Sequence, residues 1–260
     1  MSEPVGIDEA LAVVKDGEGW KANVAEGYDV FGIPHGGYVA ALAANAVLHA
    51  SGAPDLFSVT THFIKKSQFG PLEFDVRPLG ASRRFATWLA TGRQNGAVIL
   101  TCMASVGDRT SIDGVAWSSL KAETSAPAEK TGEAFTNVPG IAQRGQLDLD
   151  PATLTFIRGE KADKAFMRGS CAFDTTSALT GLIACDITPP VAWNVLGSQG
   201  WVPTVELTAH IRARPTPGPM TLRVDTRHVD AGFLEEDALV FDSTGKLFVQ
   251  SRQLARWTGQ

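Results

Sequence analysis

The chain has 260 residues, 44% of them hydrophobic and 20% charged, which suits a folded protein with a sizeable core and makes disorder no default reading. A net charge of −5 argues against nucleic acid as the main partner, because phosphate binding needs a basic face. Cys102, Cys171 and Cys185 are odd in number and lack CxxC spacing, so neither a zinc site nor a disulfide framework is expected and a reducing compartment is.

The opening stretch MSEPVGIDEALAVVKDGEG lacks the basic start and apolar centre of a secretion signal. With the cysteine usage, this predicts a cytoplasmic protein. Residues 36–50 predict a helix. From Tyr38 to Leu48 it reads YVAALAANAVL, apolar on every face, so it must be covered on nearly all sides. The run is too short to span a bilayer. Extended stretches follow at 57–65, 72–79, 84–93 and 97–106, the last two joined by Gln94-Asn95-Gly96, a turn that closes a β-hairpin. Lys65-Lys66 and Arg83-Arg84 read as solvated strand ends or loops rather than an anion site. The polar, Pro-containing stretch SSLKAETSAPAEKTGEAF (118–135) reads as a surface connector. Beyond it come a helical segment at 176–186 and extended stretches at 204–213, 220–228, 234–242 and 246–256, with Ser243-Thr244-Gly245 as the second hairpin turn.

The second series repeats the first. Laying Thr60-Thr61-His62-Phe63 on Thr208-Ala209-His210-Ile211 also places Pro71 on Pro219 and Val76 on Val224. One further position of shift aligns the two hairpin turns and the apolar strands after them. Four matches in order indicate a duplication. The units are drawn at 1–117 and 151–260, with a connector at 118–150. An antiparallel sheet curled around one helix would cover the apolar helix. Two copies predict an α+β double hotdog: two helix-wrapped antiparallel sheets with edges joined into one long sheet, related by a pseudo-twofold axis.

With this architecture the chain resembles the acyl-CoA thioesterase II family, whose members fuse two hotdogs. The first half carries PHGGYVAALAANA, similar to the Gly-Gly helix start of hotdog thioesterases. The second carries ACD (184–186), PTVELT (203–208) and SRQLA (251–255). The resemblance implies that Asp186, Thr204 and Gln253 hold a water for attack on an acyl-CoA thioester, and it calls for no cofactor and no metal. Glu206 departs from the Asp often found there, and no role is attached to it.

Thioester hydrolysis needs a proton acceptor, a positioned water and donors for the developing oxyanion. Gly36 and Gly37 open the first helix, where backbone N–H groups lack intrahelical partners, and are the expected oxyanion and substrate-binding residues. Single hotdogs of the Gly-Gly type often carry an acid seven residues after the second glycine. Here that position is Ala44, and Gln253 pairs with Ala104 in the repeat. One composite site between the halves is expected, with a dead twin. His35 is expected to precede or cap the helix, His62 and His210 to be structural, and Asn45 to be a helix or pocket residue. Trp193 and Trp201 are candidates to wall the acyl pocket or to pack its loop.

Two rival readings stay open. A non-catalytic acyl-CoA or lipid-binding module would keep the same polar groups. A hotdog enoyl-CoA hydratase would need an Asp–Asn–Pro–His stretch, which Asp29 to His35 (DVFGIPH) matches only loosely and without the Asn. The sheet faces outside the helices leave room for a homo-oligomer of double hotdogs.

Overall fold

In the computed structural model, which describes residues 5–124, 139–198 and 200–259, each half folds an antiparallel sheet against a central helix. The first half runs α1 (Ile7–Ala10), β1 (Val13–Asp16), β2 (Gly19–Val24), a small hairpin of β3 (Asp29–Val30) and β4 (Ile33–Pro34), and α2 (Gly36–Ser51). The strands β5 (Asp55–Phe63), β6 (Gly70–Ala81), β7 (Phe85–Gln94) and β8 (Ala97–Gly107) complete it. The second half runs α3 (Gly140–Arg144), β9 (Asp148–Leu149), β10 (Ala165–Cys171), α4 (Ala178–Ala184), α5 (Trp193–Leu196) and β11 (Thr204–Ile211). It ends with β12 (Met220–Thr226), β13 (Val229–Asp230), β14 (Phe233–Phe241) and β15 (Leu247–Arg256).

Helix α2 forms where its sequence predicts. The imidazole of His35 caps it, with Nδ1 accepting from Tyr38 N–H at 3.2 Å. Gly52 ends it in the left-handed conformation at φ +66°. Side chains on all sides are buried, among them Tyr38, Leu42, Ala44 and Val47. Asn45 donates to Leu11 O at 2.8 Å and so ties the helix to the turn after α1. The shorter α4 begins at a capping box in which Ser177 and Thr180 satisfy each other's backbone amides.

The strands form one thirteen-stranded sheet in the order β1-β2-β6-β7-β8-β5-β11-β15-β14-β12-β10-β9, with β13 paired to β14. Every ladder in it is antiparallel. Asn95 and Gly96, at φ +51° and +76°, form the two-residue turn between β7 and β8. The halves join at β5 and β11, where Thr60 stands opposite Thr208 with their hydroxyls 2.9 Å apart. Those two threonines are mates in the repeat, so the pseudo-twofold axis passes between them. Joining there pairs two strands that would otherwise be open edges. One apolar cluster runs through both halves, including Leu42, Val59, Leu182 and Ala209.

Two parts of the repeat have no counterpart in the sequence matches. Strand β2 pairs with β6 as β10 pairs with β12, so the duplication reaches into GWKANV and AFMRGSC, which share no residue in register. Residues 140–149, within the 118–150 connector, form α3 and β9, and β9 pairs with β10. Ile141 and Leu149 are buried in the core; α3 packs against β3 of the first half, while Ala172 N–H donates to Gly145 O and β9 pairs with β10 of the second, so this stretch touches both units. Residues 125–138 of the connector lie outside the described residues.

The joint is also held by a charged clasp. Both Asp55 carboxylate oxygens accept from Arg214, at 2.6 and 2.7 Å, and Arg109 N–H adds a third bond at 2.7 Å. The Arg214 bond holds the Asp55 carboxyl below the usual aspartate range. The depressed value means a stabilising contribution present above the unfolded pKa and lost as pH falls through the folded one. Arg214 is half-exposed, which limits the effect. Asp55→Asn is therefore expected to cost about 1–2 kcal/mol, read as a lower thermal midpoint at neutral pH. The gap from wild type should close as the pH is lowered below the aspartate range.

Candidate active site

The N-terminus of α2 meets the C-terminal end of α4, and the approach is close because Gly36 and Gly37 have no side chains. A Cβ on Gly37 would stand 2.9 Å from Leu182 O and 3.0 Å from the Asp186 Cβ; one on Gly36 would stand 2.9 Å from Asp186 Oδ2. Asp186 lies in the turn that ends α4, its N–H donating to Ile183 O at 3.1 Å. Its Oδ2 accepts from Gly37 N–H at 2.8 Å. His35 adds a second hold. Because its Nδ1 accepts from Tyr38 N–H, its Nε2 carries the proton and donates to Asp186 O at 2.8 Å, with Oδ2 at 3.4 Å. The capping histidine thus also fixes the acid.

Thr204 reaches the same place through an irregularity in β11. Simple alternation would put Thr204 on the face of Glu206 and Thr208, away from the helices. A bulge between Thr204 and Glu206 shifts the register, so Thr204 pairs with buried Ala255 and faces inward. Its Oγ1 lies 2.6 Å from Gln253 Oε1 and 3.5 Å from Asp186 Oδ1. The hydroxyl has one proton, and the shorter contact takes it.

Behind Gln253 stands a residue that the sequence reading passed over. Glu236, on β14 directly opposite Gln253, is 4% exposed. Its Oε1 accepts from Gln253 Nε2 at 3.1 Å and its Oε2 from Val191 N–H at 2.9 Å. Burial pushes the carboxyl up to about 8. A signal was present in the sequence: in FLEEDALVF, Glu236 falls in phase with the inward Leu234, Ala238 and Val240.

The site is one-sided. Register from the central Thr60–Thr208 pair puts Ala104 opposite Val59 as Gln253 is opposite Leu207, and Trp88 opposite Ala104 as Glu236 is opposite Gln253. Leu56 occupies the place of Thr204, and counting from the two helix caps sets Ala44 at the place of Asp186. Four polar groups in one half correspond to Ala44, Leu56, Trp88 and Ala104 in the other.

Other residues singled out in the sequence lie elsewhere. His62 and His210 are exposed on the face of the sheet away from the helices, where Glu206 accepts from Thr208. Trp193 packs edge-on against Phe156, centroids 5.4 Å apart, and Trp201 is 39% exposed. Lys65-Lys66 and Arg83-Arg84 are exposed. Among the described residues no group of three His, Cys, Asp or Glu side chains is placed to hold a metal ion. No helix among them is long and apolar enough to cross a membrane.

This architecture defines a double-hotdog protein. The chain belongs to the acyl-CoA thioesterase family. Residues 24–107 match the family's acyl-CoA thioesterase N-terminal domain and residues 120–256 its C-terminal domain. A candidate thioesterase II from Thermobifida fusca YX is 27% identical with a TM-score of 0.84, over 98% of this chain and 99% of that one. The acyl-CoA thioesterase II TesB2 of Mycobacterium marinum shares the fold, with 14% identity and a TM-score of 0.74 over 98% and 99% of the two chains. So does a hot dog fold protein of unknown function from Alicyclobacillus acidocaldarius, with 19% identity and a TM-score of 0.82 over 98% of each. An uncharacterized protein of Mycobacterium tuberculosis is 38% identical over 78 residues, which is 30% of this chain and 26% of the relative. The match thus spans about a quarter of that relative's length.

Proposed function

We propose that the protein hydrolyses an acyl-CoA thioester to the free acid and CoA, using a water held by Asp186, Thr204 and Gln253. The observation that carries this reading is the convergence of Asp186 Oδ1, Thr204 Oγ1 and Gln253 Oε1 at the start of α2. A water there donates one hydrogen to Asp186 Oδ1 and the other to Thr204 Oγ1. Its lone pair is left for the thioester carbon, and Asp186 takes the proton as attack proceeds. Collapse of the tetrahedral intermediate expels the CoA thiolate.

The two glycines then divide their work. Gly37 N–H holds Asp186 Oδ2 and so keeps Oδ1 turned toward the water. Gly36 N–H is the first amide of α2, has no intrahelical carbonyl to bond, and lies at the positive end of the helix dipole. It is the donor offered to the oxyanion. A panel of acyl-CoAs of increasing chain length tests the reading by free-thiol release. Turnover of at least one member is expected. Tight binding of all members without thiol would instead mark a binding module, and loss of enoyl absorbance without thiol a hydratase.

A further inference from the structure

We propose that Glu236 is a positioning residue: its carboxylate orients the Gln253 amide so that the Thr204 proton points away from the attacking water. The inference rests on the hydrolytic reading above. Glu236 is buried on the helix-facing side of β14 and makes no ion pair among the described residues. A buried carboxylate without a cation is costly. Satisfying Val191 N–H does not require one, since a neutral amide oxygen would serve.

A carboxylate differs from an amide in having two acceptor ends. Val191 N–H cannot reverse, so it always takes an acceptor. An ionised Glu236 presents a second acceptor to Gln253, which must then turn its NH2 toward Glu236 and its carbonyl toward Thr204. Thr204 accordingly donates to Gln253 and offers only lone pairs to the site. Two acceptors, Thr204 Oγ1 and Asp186 Oδ1, then take both hydrogens of the water. If the amide were reversed, Gln253 would donate to Thr204. The threonine proton would pass to Asp186 Oδ1 or to the water's lone pair, blocking the base or the nucleophile.

The charges that face Glu236 are carboxylates. Asp186 lies beyond Thr204 and Gln253, and Asp225 on β12 also raises its pKa. Val191 N–H and the Gln253 amide act the other way, and His35 stands on the far side of Asp186. A protonated Glu236 can donate to Gln253 Oε1, which permits the reversed amide. The active arrangement therefore dominates above the Glu236 pKa of about 8 and is lost as pH falls through it.

The test compares kcat and KM across pH for wild type, Glu236→Gln, Gln253→Ala and the double variant. Glu236→Gln is nearly isosteric. Its amide oxygen must serve Val191 N–H, so its NH2 faces Gln253 and forces the reversal. A fall in kcat of about tenfold is expected, the equivalent of one hydrogen bond in the transition state. KM should stay within about twofold, and the rise of kcat near pH 8 should vanish. In the Gln253→Ala background, Glu236→Gln should have little further effect. A folded Glu236→Gln with unchanged kcat and the same pH limb would overturn the proposal, as would independent losses in the double variant. Should Glu236→Gln fail to fold, the wild-type profile decides, since kcat flat from pH 7 to 9 overturns it. Activity that needs Asp186 but ignores Glu236 sinks this inference alone, whereas activity indifferent to Asp186→Asn sinks the hydrolytic reading.

Discussion

Asp186→Asn is expected to lower kcat on the best acyl-CoA substrate by about 10²–10⁴-fold, the usual cost of losing a general base. The fold should survive. Asparagine is nearly isosteric, and its carbonyl oxygen can take over the bond that Oδ2 accepts from Gly37 N–H at 2.8 Å, while His35 Nε2 keeps its bond to the backbone carbonyl of the same residue. That leaves its NH2 at the place of Oδ1, where it donates instead of accepting. The water then loses its proton acceptor and one of its two anchors. Thiol release measured beside a thermal melt gives the answer. A loss of less than about tenfold with an unchanged melt would remove Asp186 from the role of base.

Gln253→Ala should come next, with a loss of roughly 10–10² in kcat, since it removes the hydrogen bond that fixes one of the water's two anchors. The change strands Glu236 Oε1 without its donor and frees the Thr204 proton that Gln253 accepts across 2.6 Å. The matched change in the other half is Ala104→Gln, which occupies the place equivalent to Gln253. The places equivalent to Asp186, Thr204 and Glu236 hold Ala44, Leu56 and Trp88 there, so the new amide finds no counterpart of the groups that Gln253 works with. It should leave kcat near wild type while lowering the thermal midpoint, because a buried amide without partners costs about 1–3 kcal/mol. Combined with Gln253→Ala it should not restore turnover. A Gln253→Ala enzyme with half the wild-type rate, or one rescued by Ala104→Gln, would mean that both halves work and that a single composite site is wrong.

Much of the fold was legible because it rests on local rules. The YVAALAANAVL run demanded cover on every side and is buried on every side. Gln94-Asn95-Gly96 demanded positive φ and makes the turn between β7 and β8. The match of Thr60-Thr61-His62-Phe63 with Thr208-Ala209-His210-Ile211 marks the pseudo-twofold axis itself, because Thr60 and Thr208 are paired across it. Strands β2 and β10 were not legible, since the duplicated sheet keeps its backbone pairing after the side chains have diverged.

The site was legible in part. The sequence by itself determined the architecture and which half carries the Asp, Thr and Gln of the candidate site: Ala44 and Ala104 already showed that the first half lacks counterparts of Asp186 and Gln253. Only the tertiary structure decided how those groups are aimed. Strand alternation sends Thr204 outward, and the bulge after it turns it in; a bulge depends on pairing with β15, which no local pattern encodes. Gly37 and Asp186, 149 residues apart, meet because two helices with small residues at their contact pack closely. Glu236 becomes meaningful only once it stands opposite Gln253. The physical reason is the same in each case. Local sequence sets the period and conformation of an element, whereas the direction of a hydrogen bond depends on the donor or acceptor that packing brings to it.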